Sequence, residues 1–233
     1  AVGEMSAGLA HEINNPLATI DTLQTWIHDL AGVAPIAEED RREILDSAGK
    51  IGEQVARCKV ITQGLLKFSR RVEAQPERID VAAFLDELCA MARARARVDG
   101  VALETDFGAV PPVECTPAHL QQIVMNVVNN ALDATTGRTD ARVVVSSRLE
   151  EGRVVLRVRD NGPGIPPENL SRIFQPFFTT KPVGRGTGLG LAICYGMVQQ
   201  LGGTIVADSA PGKGTTFTVT LPAASAAAPG GPP

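Results

Sequence analysis

RVVLRVRDNGPGIPPENL, residues 153–170, holds the turning point of the chain. Val154, Leu156 and Val158 fall on one face of an extended strand, because successive side chains point to opposite faces. Asp160 continues that apolar face by the same period of two, so a carboxylate emerges where the core meets a loop. A carboxylate buried there needs a donor, and the exocyclic amine of an adenine ring would supply one. Gly162 and Gly164 let backbone approach a flat ring closely. Asn-Gly is also a frequent hairpin turn. Here, however, PPENL follows, which reads as a helix start and not as a returning strand.

Outward from this point the elements are legible on both sides. ARVVVSSRLEEG, residues 141–152, is the other half of a hairpin that turns at Glu151-Gly152. PAHLQQIVMNVVNNALDAT, residues 117–135, is an amphipathic helix, VALETDF (101–107) a strand and VAAFLDELCAMARARA (81–96) a helix. Downstream, TGLGLAICYGMVQQLG (187–202) is helical and GTIVADSAPGKGTTFTVTLP (203–222) is a last hairpin. The order predicts an α+β layer with helices on one face of a mixed sheet. The end, AASAAAPGGPP (223–233), is low-complexity and is expected to be a disordered tail.

Before residue 79 the periodicity is different. Ile44, Ile51, Cys58, Leu65 and Val72 recur at seven-residue steps, with Ile61 and Phe68 at the second heptad position. Met5, Leu9, Ile13, Leu17, Ile20 and Ile27 form a matching stripe at three- and four-residue steps. Gly32, Pro35 and an acidic run separate the two helices. A sustained seam of this kind must be buried against other helices. A lone hairpin is thin, and two copies complete a four-helix bundle, so a homodimer is expected. Pro76 marks a boundary. The expected domains are 1–74 and 79–222, with the tail 223–233.

Bulk properties narrow the classes of function. A net charge of −4 offers no basic footprint for nucleic acid. Cys58, Cys89, Cys115 and Cys194 lack metal-ligand or disulfide spacing and read as reduced thiols of a cytoplasmic protein. No apolar run reaches the roughly 20 residues of a membrane span, so no membrane contact is expected in this fragment. The first residues enter a helical pattern directly, with neither an initiator Met nor a signal-peptide pattern, so the chain is expected to be a fragment of something longer.

Four further motifs bear on the chemistry. His11 lies in HEINNPL, residues 11–17, with Glu12 able to orient the imidazole or take its proton and Asn15 one turn on, on the same face. Pro16 is expected to bend the helix there. Asn126 and Asn130 form a polar stripe whose amide oxygens could ligate a hard cation such as Mg²⁺ alongside phosphates, although such a stripe is common on surface helices. GRGTGLGLAI, residues 184–193, places Gly186, Gly188 and Gly190 directly before a helix, where backbone N–H groups suit phosphate. FQPFFTTK (174–181) gathers Phe174, Phe177 and Phe178 in a proline-flanked loop, a lid or an ordinary core patch.

Taken in order, these strings resemble the GHKL ATPases, which include gyrase B, Hsp90, MutL and the sensor histidine kinases. NVVNNALDA looks like the N box, DNGPGI the G1 box, FQPFF the F box and GTGLGL the G2 box. HEINNPL resembles the phosphoacceptor box of the histidine kinases. The resemblance spans all but the tail. It implies a dimerisation and histidine-phosphotransfer hairpin followed by an α/β sandwich of the GHKL type. It also implies ATP and Mg²⁺ as cofactors, with Asn126 and Asn130 meeting the metal and phosphates, Asn130 foremost. Asp160 would read the adenine amine, helped by Thr215. The remaining nucleotide contacts would come from Asp133, Gly162, Gly164, Ile165, Phe178, Thr179, Lys181, Arg185, Gly186, Thr187, Gly188, Leu189 and Gly190. His11 would accept the γ-phosphoryl group, with Glu12 assisting, and pass it to an aspartate on a response regulator receiver domain. Asn15 would serve a phosphatase reaction on that regulator. An ATPase motor and a nucleotide-binding scaffold are the alternatives, and an acceptor His on a bundle helix argues against the motor.

Overall fold

The computed structural model describes residues 2–33, 35–69, 75–181 and 186–224. The chain divides into two compact units: Ala1–Val72 with Phe177–Leu189, and Glu73–Pro176 with Gly190–Pro233. Val72, Arg185 and the tail from residue 225 lie outside the described residues.

In the first unit, α1 (Val2–Val33) and α2 (Glu38–Ser69) pack together as a hairpin. The helix α1 runs through Pro16 without interruption. Glu38, Glu39 and Asp40 open α2, where carboxylates oppose the positive end of the helix dipole. No basic residue sits in the last turn of α1. Arg41 of α2 supplies one instead, donating from its guanidinium to the Ala31 carbonyl. Leu17, Ala31, Ala48 and Val55 are buried between the helices. The heptad residues Ile44 and Ile51 are 36% and 40% exposed, and Ile20, Leu23, Trp26 and Ile27 are exposed on α1. Mostly small residues thus close the hairpin, and Ile27, Ile36, Ile44 and Ile51 line an open groove, with Ala48 at its floor. The side chains of Met5, Leu9, Ile61, Leu65 and Phe68 lie outside the described residues.

The second unit holds β1 (Glu77–Ile79), α3 (Val81–Val98), β2 (Ala102–Phe107), β3 (Val113–Cys115), α4 (Pro117–Thr135), β4 (Arg142–Glu150) and β5 (Arg153–Asp160). These are followed by the short α5 (Pro167–Leu170), then α6 (Gly190–Gln200), β6 (Thr204–Ser209) and β7 (Thr215–Pro222). Five strands form one sheet in the order β2-β4-β5-β7-β6, parallel only between β2 and β4. Strands β1 and β3 pair separately, a small antiparallel sheet that was not expected. The β4–β5 hairpin turns at Glu151 and Gly152, both at positive φ (50° and 75°), the geometry of a two-residue hairpin turn.

The core lies between the sheet and the helices. Val143 and Val145 of β4, Val154, Leu156 and Val158 of β5, and Phe217, Val219 and Leu221 of β7 are buried. So are Leu85 of α3, Leu120, Ile123, Val127 and Leu132 of α4, and Ile193 and Val198 of α6. Each such aliphatic side chain contributes about 1.5–3 kcal/mol by leaving water. Together they fix α4 and α6 on the sheet, and so set the positions of Asn126, Asn130 and Asp160. The α+β class expected from the element order is the observed one.

Candidate functional site

Asp160 is the last residue of β5, with Val143 of β4 and Thr215 of β7 as its sheet neighbours. The period-two face turns its carboxylate inward, and only 3% of the residue is exposed. Oδ1 accepts from the Gly162 N–H at 2.8 Å and from the Thr215 N–H at 3.2 Å. Oδ2 accepts none of the hydrogen bonds among the described residues. Burial pushes the carboxyl above the usual aspartate range, and the two backbone N–H groups pull it partly back.

At Gly162, Gly164 and Gly214 the loops around Asp160 leave no room for a Cβ. A Cβ on Gly164, at φ 74°, would lie 2.1 Å from the Ala210 carbonyl oxygen. One on Gly214, at φ 80°, would lie 2.0 Å from the carbonyl oxygen of Asp160 itself. Gly162 packs against the Ala134 carbonyl at the end of α4. Hydrogen bonds then tie the two loops together. Gly212 N–H donates to the Pro163 carbonyl at 2.7 Å. Ile165 N–H donates to Ser209 Oγ at 2.8 Å, Ser209 Oγ donates to the Gly214 carbonyl at 2.8 Å, and it lies 2.9 Å from Thr215 Oγ1. Asn161 braces the other side, accepting from Arg142 N–H at 2.9 Å and donating to the Asp140 carbonyl at 2.6 Å. Asp160, Gly162, Gly164, Ile165 and Thr215 are therefore brought together. Ser209 and Asn161 join them without having been foreseen. The one sequence signal for Ser209 is its place opposite Thr215 in the last hairpin.

Asn126 and Asn130 sit one turn apart on α4, both half-buried. Asn126 donates to the Gly190 carbonyl at 3.2 Å, and Gln122 donates to its oxygen at 2.9 Å. Asp133 is an ion-pair partner of Arg95 on α3, whose guanidinium also donates to Asn129 Oδ1 at 2.9 Å and to Asp99 at 3.2 Å. Hydrogen bonds and charge from Asp133 and Asp99 hold the Arg95 guanidinium more firmly protonated, outweighing its partial burial. Asp133 thus ties α4 to α3, a role its motif did not suggest. Phe174 packs against Tyr195 of α6, with ring centroids 5.7 Å apart.

Within the Phe177–Leu189 segment, Phe177 adopts φ 66°, which is unfavourable for a bulky side chain and marks local strain. Gly188, at φ 65°, permits the fold of this loop: a Cβ there would meet the Phe177 carbonyl carbon at 2.3 Å. Gly186 packs against Thr179, and Thr179 Oγ1 accepts from Lys181 N–H at 3.1 Å. Thr187 Oγ1 accepts from Leu189 N–H at 3.2 Å. Phe178, Thr179, Lys181, Gly186, Thr187, Gly188 and Leu189 thus belong to one self-contacting segment. His11, Glu12 and Asn15 lie within α1, and their side chains are outside the described residues.

A family model described as histidine kinase-, DNA gyrase B-, and HSP90-like ATPase matches residues 115–225. The sensor kinase CckA of Brucella abortus is 36% identical over 236 residues, covering 95% of this chain and 24% of that protein. The chain spans less than half the length of the curated relatives it matches. A mycobacterial sensor histidine kinase, MprB, has a solved structure that is 31% identical, covers 63% of this chain and 97% of its own, and superposes with a TM-score of 0.54. Full-length ShkA in complex with AMPPNP gives a TM-score of 0.70 at 26% identity, covering 98% of this chain and 47% of that one. The histidine kinase ThkA, solved in complex with the response regulator protein TrrA, gives 0.65 at 25% identity over 96% of this chain and 62% of its own.

Proposed function

This chain belongs to the histidine kinases with a GHKL-type ATPase domain, and from that premise we propose that it binds Mg-ATP, transfers the γ-phosphoryl group to its own His11 and passes it on to an aspartate of a response regulator. The observation that carries this reading is the Asp160 carboxylate, buried, with one oxygen held by two backbone N–H groups and the other without a partner among the described residues. A buried acceptor in a cradle of bare glycines suits the exocyclic amine of adenine. Mg²⁺ is held largely by substrate phosphate and water oxygens with few protein ligands, so a single half-buried amide oxygen such as that of Asn130 could serve without an all-protein cage. When bound, the ion neutralises charge on the phosphates.

In this reading residues 1–74 carry the acceptor and the dimer seam, and residues 79–222 hold the nucleotide. Lys181 and Arg185 contact phosphates, and the N–H groups of Gly186, Gly188 and Gly190 cradle them. His11 attacks the γ-phosphorus in line as its bond to the bridging oxygen breaks, and ADP leaves. Glu12 keeps the attacking nitrogen unprotonated. ThkA's complex with a regulator supports a receiver domain as the next acceptor. The reaction belongs in the cytoplasm, where ATP is found. The test is incubation with γ-labelled ATP: acid-labile, base-stable label on the protein is expected, and release of free phosphate with no labelled protein would favour an ATPase motor instead.

Homodimerisation through the hairpin is part of the proposal, supported by the apolar groove that one copy leaves open. Ile51 is 40% exposed and Ala48 is 1% exposed in the single chain. Ile51→Lys should therefore leave the hairpin folded but split the dimer, whereas Ala48→Lys should unfold it. Light scattering and circular dichroism separate the two outcomes, and a monomeric wild-type chain at micromolar concentration would refute the dimer.

Asn15 is proposed to orient water for removing phosphate from the regulator, because it lies one turn from His11. Asn15→Ala is expected to slow ADP-stimulated dephosphorylation of a pre-phosphorylated regulator while labelling of His11 persists. Equal dephosphorylation rates would reduce Asn15 to a residue that precedes a proline.

A further inference from the structure

Asn126 was expected beside Asn130 as a second cation ligand, yet its amide is committed elsewhere. A carbonyl oxygen only accepts, so the contact with Gly190 O at 3.2 Å requires Asn126 to present its Nδ2 there. Its Oδ1 then faces Gln122, whose Nε2 donates at 2.9 Å from one turn earlier on α4. Reversing the amide would set oxygen against oxygen on the α6 side, so the Gly190 carbonyl fixes the orientation, and the Gln122 amide, which can present either of its atoms, braces it.

A second bridge runs beside the first. Cys194, fully buried on α6, donates to the Ile123 carbonyl at 3.7 Å and receives Asn126 Nδ2 at 3.5 Å. Burial pushes this thiol up to about 11, so it stays protonated and keeps its donor. Gln122, Ile123 and Asn126 of α4 are in this way fastened to Gly190 and Cys194. Gly190 is the first residue of α6, the helix whose N-terminus the proposed function assigns to phosphate. Gly190 lies directly against this amide: a Cβ there would sit in ordinary van der Waals contact with Asn126 Cγ, at 3.7 Å.

We propose that Asn126 is a positioning residue that holds the first turn of α6 against α4, so that the phosphate-binding end is set before nucleotide arrives, and that it does not ligate the cation. This rests on the nucleotide-binding reading above, and it separates two asparagines that the sequence pattern treats alike: Asn130 meets the metal, and Asn126 holds the loop's anchor.

Asn126→Asp discriminates, because a carboxylate is the better ligand for Mg²⁺ but has no hydrogen to give Gly190. ADP binding is measured by calorimetry in EDTA and again with Mg²⁺, on wild type and variant, with thermal melting alongside. The expected result is ADP affinity in EDTA weakened by about tenfold or more, an unchanged ratio between the two conditions, a similar melting temperature, and faster hydrogen exchange at Cys194 N–H in the first turn of α6. Wild-type affinity in EDTA with a changed Mg²⁺ ratio would overturn the proposal and make Asn126 a ligand. Failure of the wild type to bind ADP at all would instead overturn the nucleotide-binding reading beneath it. If Asn126→Asp does not fold, Gln122→Ala decides: it frees the amide to rotate, and the same weakening in EDTA is expected at smaller size, while no change in EDTA counts against the proposal.

Discussion

With His11→Gln, incubation with γ-labelled ATP should leave no label on the protein, while ATP affinity stays at the wild-type level. Glutamine matches the imidazole in size and polarity but offers no nucleophilic nitrogen, so phosphoryl transfer is lost and not merely slowed. Nucleotide binding persists because Asp160 and the glycine cradle around it belong to a different compact unit from α1. A mixed-subunit experiment adds resolving power: His11→Gln combined with an ATP-binding variant restores label only if transfer crosses between subunits. Label found on His28 or His119 in the single variant would remove His11 from its role.

Asp160→Asn should weaken ATP binding by about 1–3 kcal/mol, roughly 5- to 150-fold, and should at the same time stabilise the empty protein. Both effects come from the two oxygens. The amide oxygen of asparagine still accepts from Gly162 and Thr215, so the backbone cradle survives. Its NH₂ replaces the free oxygen, and a donor then faces the adenine amine, which is also a donor. On the stability side, burial raises the Asp160 carboxyl above its ordinary value of 3.8. The contribution of this group to stability is fully present below that value and is lost as pH rises through the raised one. At neutral pH the wild type therefore buries a charge at a cost, which the uncharged variant avoids. Calorimetric titration, and thermal melts at acid and at neutral pH, test both halves. Wild-type ATP affinity in the variant would remove Asp160 from adenine recognition, and a lower melting temperature at pH 7 would remove the burial cost.

The strand and helix periods made most of the second unit readable, because Val154, Leu156, Val158 and Asp160 share one face of β5 at a period of two and α4 carries a clear apolar face. The strands β1 and β3 were not readable. Three residues are too few to display a period, and their pairing is set across a distance that no local pattern encodes. The same reason hid the Arg95–Asp133 ion pair, which joins residues 38 positions apart. It also hid the Asn126–Gly190 contact. Ser209 was invisible for a different reason: its hydroxyl gains a role only when the turn closes on Gly214 and Thr215. In α2 the heptad identified Ile44 and Ile51 as one stripe but could not say which neighbour covers it. Ala48 and Val55, also seven apart, meet α1 instead, because small side chains let the two helices approach.

The pinned oxygen of Asp160 has a consequence for the choice of base. Guanine carries a carbonyl where adenine carries its amine, and a carbonyl offers lone pairs to a carboxylate oxygen that has only lone pairs of its own. Buried sites built around one hydrogen bond reject the analogue that cannot make it by about 10⁴–10⁵-fold. Because Gly162 and Thr215 hold the other oxygen, the carboxylate cannot swing aside to accommodate the intruder. Under the proposed function, GTP should therefore leave the protein unlabelled where ATP labels it.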